Sequence, residues 1–298
     1  MSESGKKIVI ISGATACGKS QLALDFGEKK DIAIINCDSL QIYQGLPILS
    51  AQPSKEEQKL IPHFLYSHLK PDESASVGLW LELIKNLIPE IWRQNKIPVI
   101  VGGSGMYISK LIDGISKMPE VSLKNRQKAF EIYLEIGHQK FQEKFGEDKL
   151  IDKQRLLRAC EIYLQTGKSI SFWQAQIPEK IFPNAKFLHL NLEILREKLY
   201  QNCNLRFAKM LEIGVLDEVE HFLKLNSKNN FPIYKTLGFT EIALFLQNEI
   251  SKEEMLDIAT QKTRNYAKRQ LTYFRNQFEN KISFENSKVA LDFLTKQT

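Results

Sequence analysis

Residues 13–20 read GATACGKS and directly follow the run KIVIIS at Lys7–Ser12. A continuous β-branched run of this kind suits a strand buried on both faces, as in a parallel sheet. A helical pattern begins at Lys19 and continues to about Lys29. Between strand and helix, G-x-x-x-x-G-K-[ST] predicts a loop that cradles phosphate. Its backbone N–H groups and the N-terminus of the helix present partial positive charge. The whole segment Gly13, Ala14, Thr15, Ala16, Cys17, Gly18, Lys19 and Ser20 is therefore the candidate phosphate site. Lys19 adds a full charge at the reach of a terminal phosphate, and the Ser20 hydroxyl can ligate Mg²⁺. An amide nest of this kind takes a diphosphate or a triphosphate, and nothing in the motif chooses between them.

The rest of the chain frames that loop. Asp31–Cys37 (DIAIINC) and Ile97–Val101 (IPVIV) read as further buried strands. Leu79–Trp92 reads as a helix with Leu79, Leu83, Leu87 and Ile91 on its apolar face, and Pro89 as a possible kink. Alternating strands and helices predict an α/β fold, a P-loop core on a parallel sheet. After Gly114 the texture turns helical and charged, with Glu147–Gln165 spaced as a helix, until Lys186–Leu190 (KFLHL) reads as a strand again. That block is expected to be an all-helical inserted subdomain over residues 116–182, within a core made of 1–115 and 183–298. From Glu193 onward the pattern reads as helix, broken near Asn226–Pro232.

Composition narrows the classes. The chain of 298 residues is long enough to bury a sizeable core, and its net charge of +6 suits a phosphate or nucleic-acid partner without requiring one. The four cysteines, Cys17, Cys37, Cys160 and Cys203, form no CxxC pair and have no histidine cluster beside them, which argues against a zinc site or a disulfide framework. No stretch reaches the length of a membrane span or of a secretory signal. A cytoplasmic protein without a membrane partner is expected.

The strand Ile97–Val101 ends in glycines, so it supplies no acid for a metal. The strand ending at Cys37 is followed by Asp38, in Asp38-Ser39-Leu40-Gln41-Ile42-Tyr43. Asp38 falls at the carboxyl edge of the sheet, where ligands bind in such folds. It could serve as a metal ligand or a general base, or simply close a turn.

The P-loop and the D-S-L-Q segment, in this order, resemble the tRNA dimethylallyltransferase family. Further stretches carry the resemblance: Pro62-His63, Leu69-Lys70-Pro71, Val101-Gly102-Gly103-Ser104-Gly105-Met106-Tyr107, Gln154-Arg155-Leu156-Leu157-Arg158-Ala159 and Leu237-Gly238-Phe239. The longest is Arg264-Asn265-Tyr266-Ala267-Lys268-Arg269-Gln270-Leu271-Thr272-Tyr273-Phe274-Arg275. Together they run from the first strand almost to the C-terminus. Ala14 stands where the family usually has Pro, Ser20 and Ser104 where it has Thr, and Phe239 where it has Tyr. Asn202 stands where an Arg is usual, while Arg206 is retained. With no zinc finger following, the chain looks like the bacterial form.

The resemblance implies transfer of a dimethylallyl group from dimethylallyl diphosphate to N6 of the adenosine 3′ to the anticodon, in tRNAs that read codons beginning with U. It makes the loop a diphosphate site rather than an ATP site, with Mg²⁺ at Ser20, and implies catalytic roles for Asp38, Thr15 and Arg206. It implies tRNA contacts at Asp38, Ser39, Leu40 and Gln41, at Ser104 and Arg126, at Gln154, Arg155, Leu156, Leu157 and Arg158, and at Lys268, Arg269 and Arg275. The anticodon stem-loop is then the partner, and a monomer is expected. Arg264, Lys268 and Arg275 fall on one helix face, with Tyr266, Tyr273 and Phe274 interleaved as candidates to stack bases. Three rivals remain at this stage: a P-loop kinase, a prenyltransferase acting on free adenine nucleotides, and a non-catalytic RNA-binding module.

Overall fold

The computed structural model describes residues 5–146, 152–226 and 231–298. Residues 147–151, where the Glu147–Gln165 helix was to begin, lie outside the described residues, as do residues 1–4 and most of the break near Asn226–Pro232. In chain order the elements are β1 (Lys7–Gly13), α1 (Lys19–Gly27), β2 (Ile32–Asn36), α2 (Pro47–Ser50), α3 (Lys55–Leu60), β3 (His63–Phe64), α4 (Val77–Arg93), β4 (Ile97–Gly102) and α5 (Gly105–Asp113). Then come α6 (Leu123–Phe145), α7 (Lys153–Thr166), α8 (Ile170–Gln174), β5 (Lys186–Leu192), α9 (Arg196–Glu212), α10 (Val215–Asn226), α11 (Phe239–Leu246), α12 (Lys252–Gln277), β6 (Ile282–Phe284) and α13 (Ser287–Gln297).

The six strands form one parallel sheet in the order β3-β2-β4-β1-β5-β6. The central strands are buried along nearly their whole length, as their unbroken β-branched runs require. β1 lies between β4 and β5, so Gly13 emerges at the centre of the carboxyl edge, with Asn36 and Gly102 at the ends of the two strands on one side of it. Gly102 is needed for close approach, because a Cβ there would lie 1.9 Å from the carbonyl oxygen of Cys37. That contact brings the Asp38 segment against the end of β4.

Two short edge strands, β3 and β6, carry too few residues to show a periodic signal, and β6 interrupts the all-helical C-terminal half that the sequence suggests. In α4 the buried face is Trp80, Ile84, Ile88 and Ile91, one position around from the Leu79–Leu83–Leu87 row. Leu79 is 37% exposed. The helix runs on through Pro89 to Arg93.

The chain divides into two compact units, Met1–Ile112 with Phe182–Thr298, and Asp113–Ile181. The second unit holds α6, α7 and α8, with α6 and α7 packed around Ala129, Phe141, Leu156 and Cys160. The first holds the sheet core and a second apolar cluster, in which Phe207 and Met210 of α9 meet Leu49, Val215, Phe222 and Phe239. All four cysteines are buried and free. No described helix is long and apolar enough to cross a membrane.

A buried polar knot lies behind the loop. Ser12 Oγ is 2.8 Å from His189 Nε2 and 3.1 Å from Asn191 Oδ1. Burial, with Lys281 nearby, holds the His189 pKa down at about 4 from an ordinary 6.5. The folded protein therefore keeps this imidazole neutral, while the unfolded chain takes up a proton as pH falls below about 6.5. Stability from this group is complete above that pH and is lost as pH drops towards 4. Urea titrations should show a loss of up to about 3 kcal/mol between pH 7 and 4, and His189→Gln should remove most of that dependence. An unchanged pH profile in the variant would contradict the assignment.

Candidate active site

The loop at the end of β1 is held by side chains from two helices, α9 and α12. The Thr15 N–H donates to Gln270 Oε1 of α12 at 2.7 Å. The Thr15 hydroxyl accepts from Arg206 Nη1 of α9 at 2.8 Å. Asn202, one turn before Arg206, donates from Nδ2 to the Ala16 carbonyl at 3.1 Å. Gln270 also donates from Nε2 to the Gly103 carbonyl at 2.9 Å, so one buried amide ties the phosphate loop to the glycines after β4. A Cβ at Gly103 would meet that amide nitrogen at 2.1 Å, which accounts for the second glycine of the pair.

Within the loop, Ala16 and Gly18 take left-handed backbone conformations, and Gly18 starts α1 with no side-chain cap. The first-turn amides are thus left for an anion. Lys19 Nζ lies across the loop on the Ala14 carbonyl at 2.7 Å. Ser20 is exposed on the first turn.

Asp38 is fixed by buried Asn36. The Asn36 side chain accepts from the Asp38 N–H at 2.8 Å and donates to the Asp38 and Leu65 carbonyls at 3.0 Å each. Asp38 Oδ1 accepts from the Leu40 N–H at 2.9 Å, a local turn that orients the carboxylate. The Ser39 N–H donates to Ser104 Oγ at 3.2 Å, so Ser104 serves here to join two loops. Burial pulls the Arg206 pKa down while the nearby Asp38 raises it back. Burial, reinforced by Asp38, pushes the hydroxyls of Tyr66 and Tyr266 upward, so both rings border the carboxylate as neutral phenols.

These groups line one cleft of about 530 Å³, which takes in Thr15, Lys19, Ser20, Asp38, Gln41, His63, Tyr66, Asn202, Arg206, Lys209 and Gln270. His63 Nδ1 lies 2.8 Å from the Ile61 carbonyl, an acceptor only, so Nδ1 carries the proton and Nε2 is the acceptor. Burial holds this histidine's pKa below its ordinary value. A cleft that joins an anion loop, a half-buried arginine and an oriented carboxylate can bind a diphosphate ester and accept a proton beside it.

The family model described as IPP transferase matches residues 41–277, and that described as isopentenyl transferase matches residues 6–66. The chain belongs to the IPP transferase family. It is 40% identical over 296 residues to the tRNA dimethylallyltransferase of Wolbachia pipientis wMel, covering 96% of this chain and 98% of that one. The tRNA dimethylallyltransferase of Pelagibacter ubique is 40% identical, with 95% and 93% covered. Among solved structures, the tRNA delta(2)-isopentenylpyrophosphate transferase of Staphylococcus epidermidis matches at 30% identity with a TM-score of 0.69, covering 98% of each chain. A eukaryotic dimethylallyltransferase acting on tRNA matches at 25% identity with a TM-score of 0.76, covering 98% of this chain and 80% of that one. Membership in this family leaves the kinase and the binding-module readings without support.

Not every residue that the sequence nominates presents a side chain for contact. Leu156 is fully buried in the core of α6 and α7, so its side chain offers no surface to RNA, and Leu157 packs, partly buried, against that core. Leu40 packs against the apolar cluster around Phe207 in the same way. Phe274 is core, stacked on Phe278 at 5.7 Å, and is no platform for a base. Arg275 pairs with Glu193 at 2.6 Å, and Arg264 donates to Asn204 at 2.8 Å. Lys268 and Arg269 are exposed on α12 beside a groove shared with Asn265, Thr272 and Tyr273. In the second unit, Arg126, Gln154 and Arg155 are exposed, while Arg158 pairs with Glu161 at 3.1 Å. The Thr15 amide, one of the loop donors expected for the anion, is taken by Gln270.

Gln270 itself escapes the pattern of charges. Its signal is a polar residue set in the apolar row Ala267, Leu271 and Phe274 of α12. Gln270→Ala should leave the Thr15 N–H and the Gly103 carbonyl without their partner. Calorimetric titration with inorganic diphosphate should show affinity about tenfold weaker, and unchanged affinity would refute the clamp.

Proposed function

We propose that this chain transfers a dimethylallyl group from dimethylallyl diphosphate to the exocyclic N6 of the adenosine immediately 3′ to the anticodon, in tRNAs that read codons beginning with U. The observation that carries the reading is a single cleft in which the phosphate loop, the Arg206–Thr15 bond and the oriented Asp38 carboxylate come together. The substrate class rests on the tRNA-modifying relatives.

The diphosphate lies on the loop, against the free first-turn amides of α1 and Lys19. Thr15 Oγ accepts from Arg206 and so turns its own proton outward, towards a diphosphate oxygen. The amine nitrogen attacks C1, the C1–O bond breaks, and its electron pair leaves on the diphosphate. The amine's proton passes to Asp38, on the oxygen not engaged by Leu40. An aromatic amine is a weak nucleophile, and a positioned base typically contributes ~10²–10⁴-fold. Arg206, poorly solvated, faces the charge gathering on the leaving group, where preorganised donors act most strongly.

The donors at the loop suit Mg²⁺. Ser20 offers a hard hydroxyl oxygen on the cleft, and magnesium is commonly held by one or two protein oxygens with substrate phosphates completing its shell. Bound there, the ion would neutralise the charge of the departing diphosphate.

The target base must unstack to enter, which is least costly in a single-stranded loop. Gln41 lines the cleft, and Ser39, next to Asp38 in the chain and bonded to Ser104, would join it in meeting the base. Lys268, Arg269 and Arg275 on α12, and Arg126, Gln154, Arg155 and Arg158 on the insertion, would meet the anticodon arm. Residues 116–182 form the insertion in this reading, a functional module for RNA within the core of 1–115 and 183–298. The enzyme acts as a monomer in this reading, working in the cytoplasm where its tRNA is found.

Purified protein with Mg²⁺, radiolabelled dimethylallyl diphosphate and unmodified tRNA should label the tRNA, with ATP inert in a parallel reaction. Asp38→Asn should lower kcat by about 10²–10⁴ while leaving affinity for diphosphate and tRNA unchanged. Absence of transfer, or an Asp38→Asn enzyme of undiminished kcat, would overturn the scheme.

A further inference from the structure

We propose that Glu218 is a positioning residue for target-base recognition, acting through the short helix α2 on Gln41. The proposal rests on the tRNA prenyl-transfer reading above and extends it to a residue outside the cleft.

Helix α2 has four residues, and its N-cap, Leu46, offers no capping side chain. A single turn of helix is not stable by itself. Its exposed amides are taken instead by the Glu218 carboxylate, from the first turn of α10. Oε1 accepts from the Ile48 N–H at 2.7 Å and Oε2 from the Leu49 N–H at 2.8 Å. Such charge-assisted pairs are short and strong, and the two-point contact fixes direction as well as distance. Burial raises the carboxyl's pKa, and the two amides pull it back, so those amides are the groups that compensate its charge.

The other end of α2 holds Gln41. Both hydrogens of the Gln41 amide go to carbonyls at the end of α2, those of its last residue Ser50 and its C-cap Ala51, at 2.9 Å each. Carbonyl oxygens only accept, so the pair sets which end of the amide is nitrogen. Gln41 lines the cleft beside Asp38, and its Oε1 is then an acceptor with no competing donor role. An acceptor held there fits the exocyclic amine of a base. The path from Glu218 to the cleft thus runs through one turn of helix, with a side-chain clamp at each end. Helix α10 makes a firm base for it, since Val215, Val219 and Phe222 are buried in the cluster that also holds Leu49.

The test is a double-mutant cycle on the full chain with Glu218→Gln, Gln41→Ala and the pair, read by label transfer to tRNA. Glu218→Gln should lower kcat/KM for tRNA about tenfold and leave affinity for inorganic diphosphate unchanged. In the Gln41→Ala background the same change should cost nothing further in kcat/KM, while it lowers Tm equally in both backgrounds. If Glu218→Gln does not fold, Glu218→Asp, which keeps the charge and shortens the reach, takes its place in the cycle. Equal losses of kcat/KM in both backgrounds would reduce Glu218 to a structural brace, and no loss at all would refute the proposal outright. A wild type that labels no tRNA removes the function and this proposal together; an active wild type with an additive cycle removes only the role of Glu218.

Discussion

The phosphate loop is anchored from outside itself, and the site depends on that anchoring. A glycine-rich loop gains its use as an anion cradle from backbone freedom, and the same freedom would let it drift. Here the Thr15 amide, the Thr15 hydroxyl and the Ala16 carbonyl are each bonded to a different side chain, from Gln270, Arg206 and Asn202. Two of those residues share helix α9, and the third lies on α12, which packs against α9. Helices that follow β5 therefore set the geometry of a loop that precedes most of the sheet in sequence. The parallel sheet makes this possible, because β1 and β5 are neighbours and α9 leaves the end of β5 close to the loop at the end of β1.

Electrostatics follow from the same placement. Arg206 is desolvated, with Asp38 nearby to support its charge. A guanidinium in that position is poorly solvated before any substrate arrives, so an anion gains more from it than from a surface arginine. Asp38 is oriented by amides rather than by a salt bridge: Asn36 sets its backbone and Leu40 takes one carboxylate oxygen. In the reaction we propose, the carboxylate acts as the base and the arginine serves the leaving group. Tyr66 and Tyr266 border it as neutral phenols.

Much of this was legible in the sequence. The β-branched runs, the loop motif and the aspartate after β2 locate the sheet edge, because buried parallel strands and phosphate loops both constrain residue type at every position. What escaped has a common cause. Gln270, Asn36 and Glu218 act by hydrogen bonds to the backbone of distant segments, and such bonds leave no spacing or periodicity along the chain. The short strands β3 and β6 are set by their neighbours in the sheet and carry no signal of their own. Leu156 and Phe274 fail in the opposite direction: they lie inside motifs rich in polar and basic residues, yet their own side chains face the core that positions those neighbours. A motif names a segment, and burial decides which of its side chains reach out.

Asn202 shows how such a segment can change without losing its task. The resemblance read from the sequence puts an arginine at this position, and asparagine carries no charge there. In the fold its amide donates to the Ala16 carbonyl, which needs a donor and no charge. The support of the loop is therefore kept, and the positive field of the cleft falls to Lys19, Arg206 and Lys209, all of which line it. These are the ammonium of the first residue of α1, the half-buried guanidinium on α9 and an exposed lysine further along α9. The loss of one arginine then changes the strength of that field more than its direction, because direction is set by the helix termini and the loop amides.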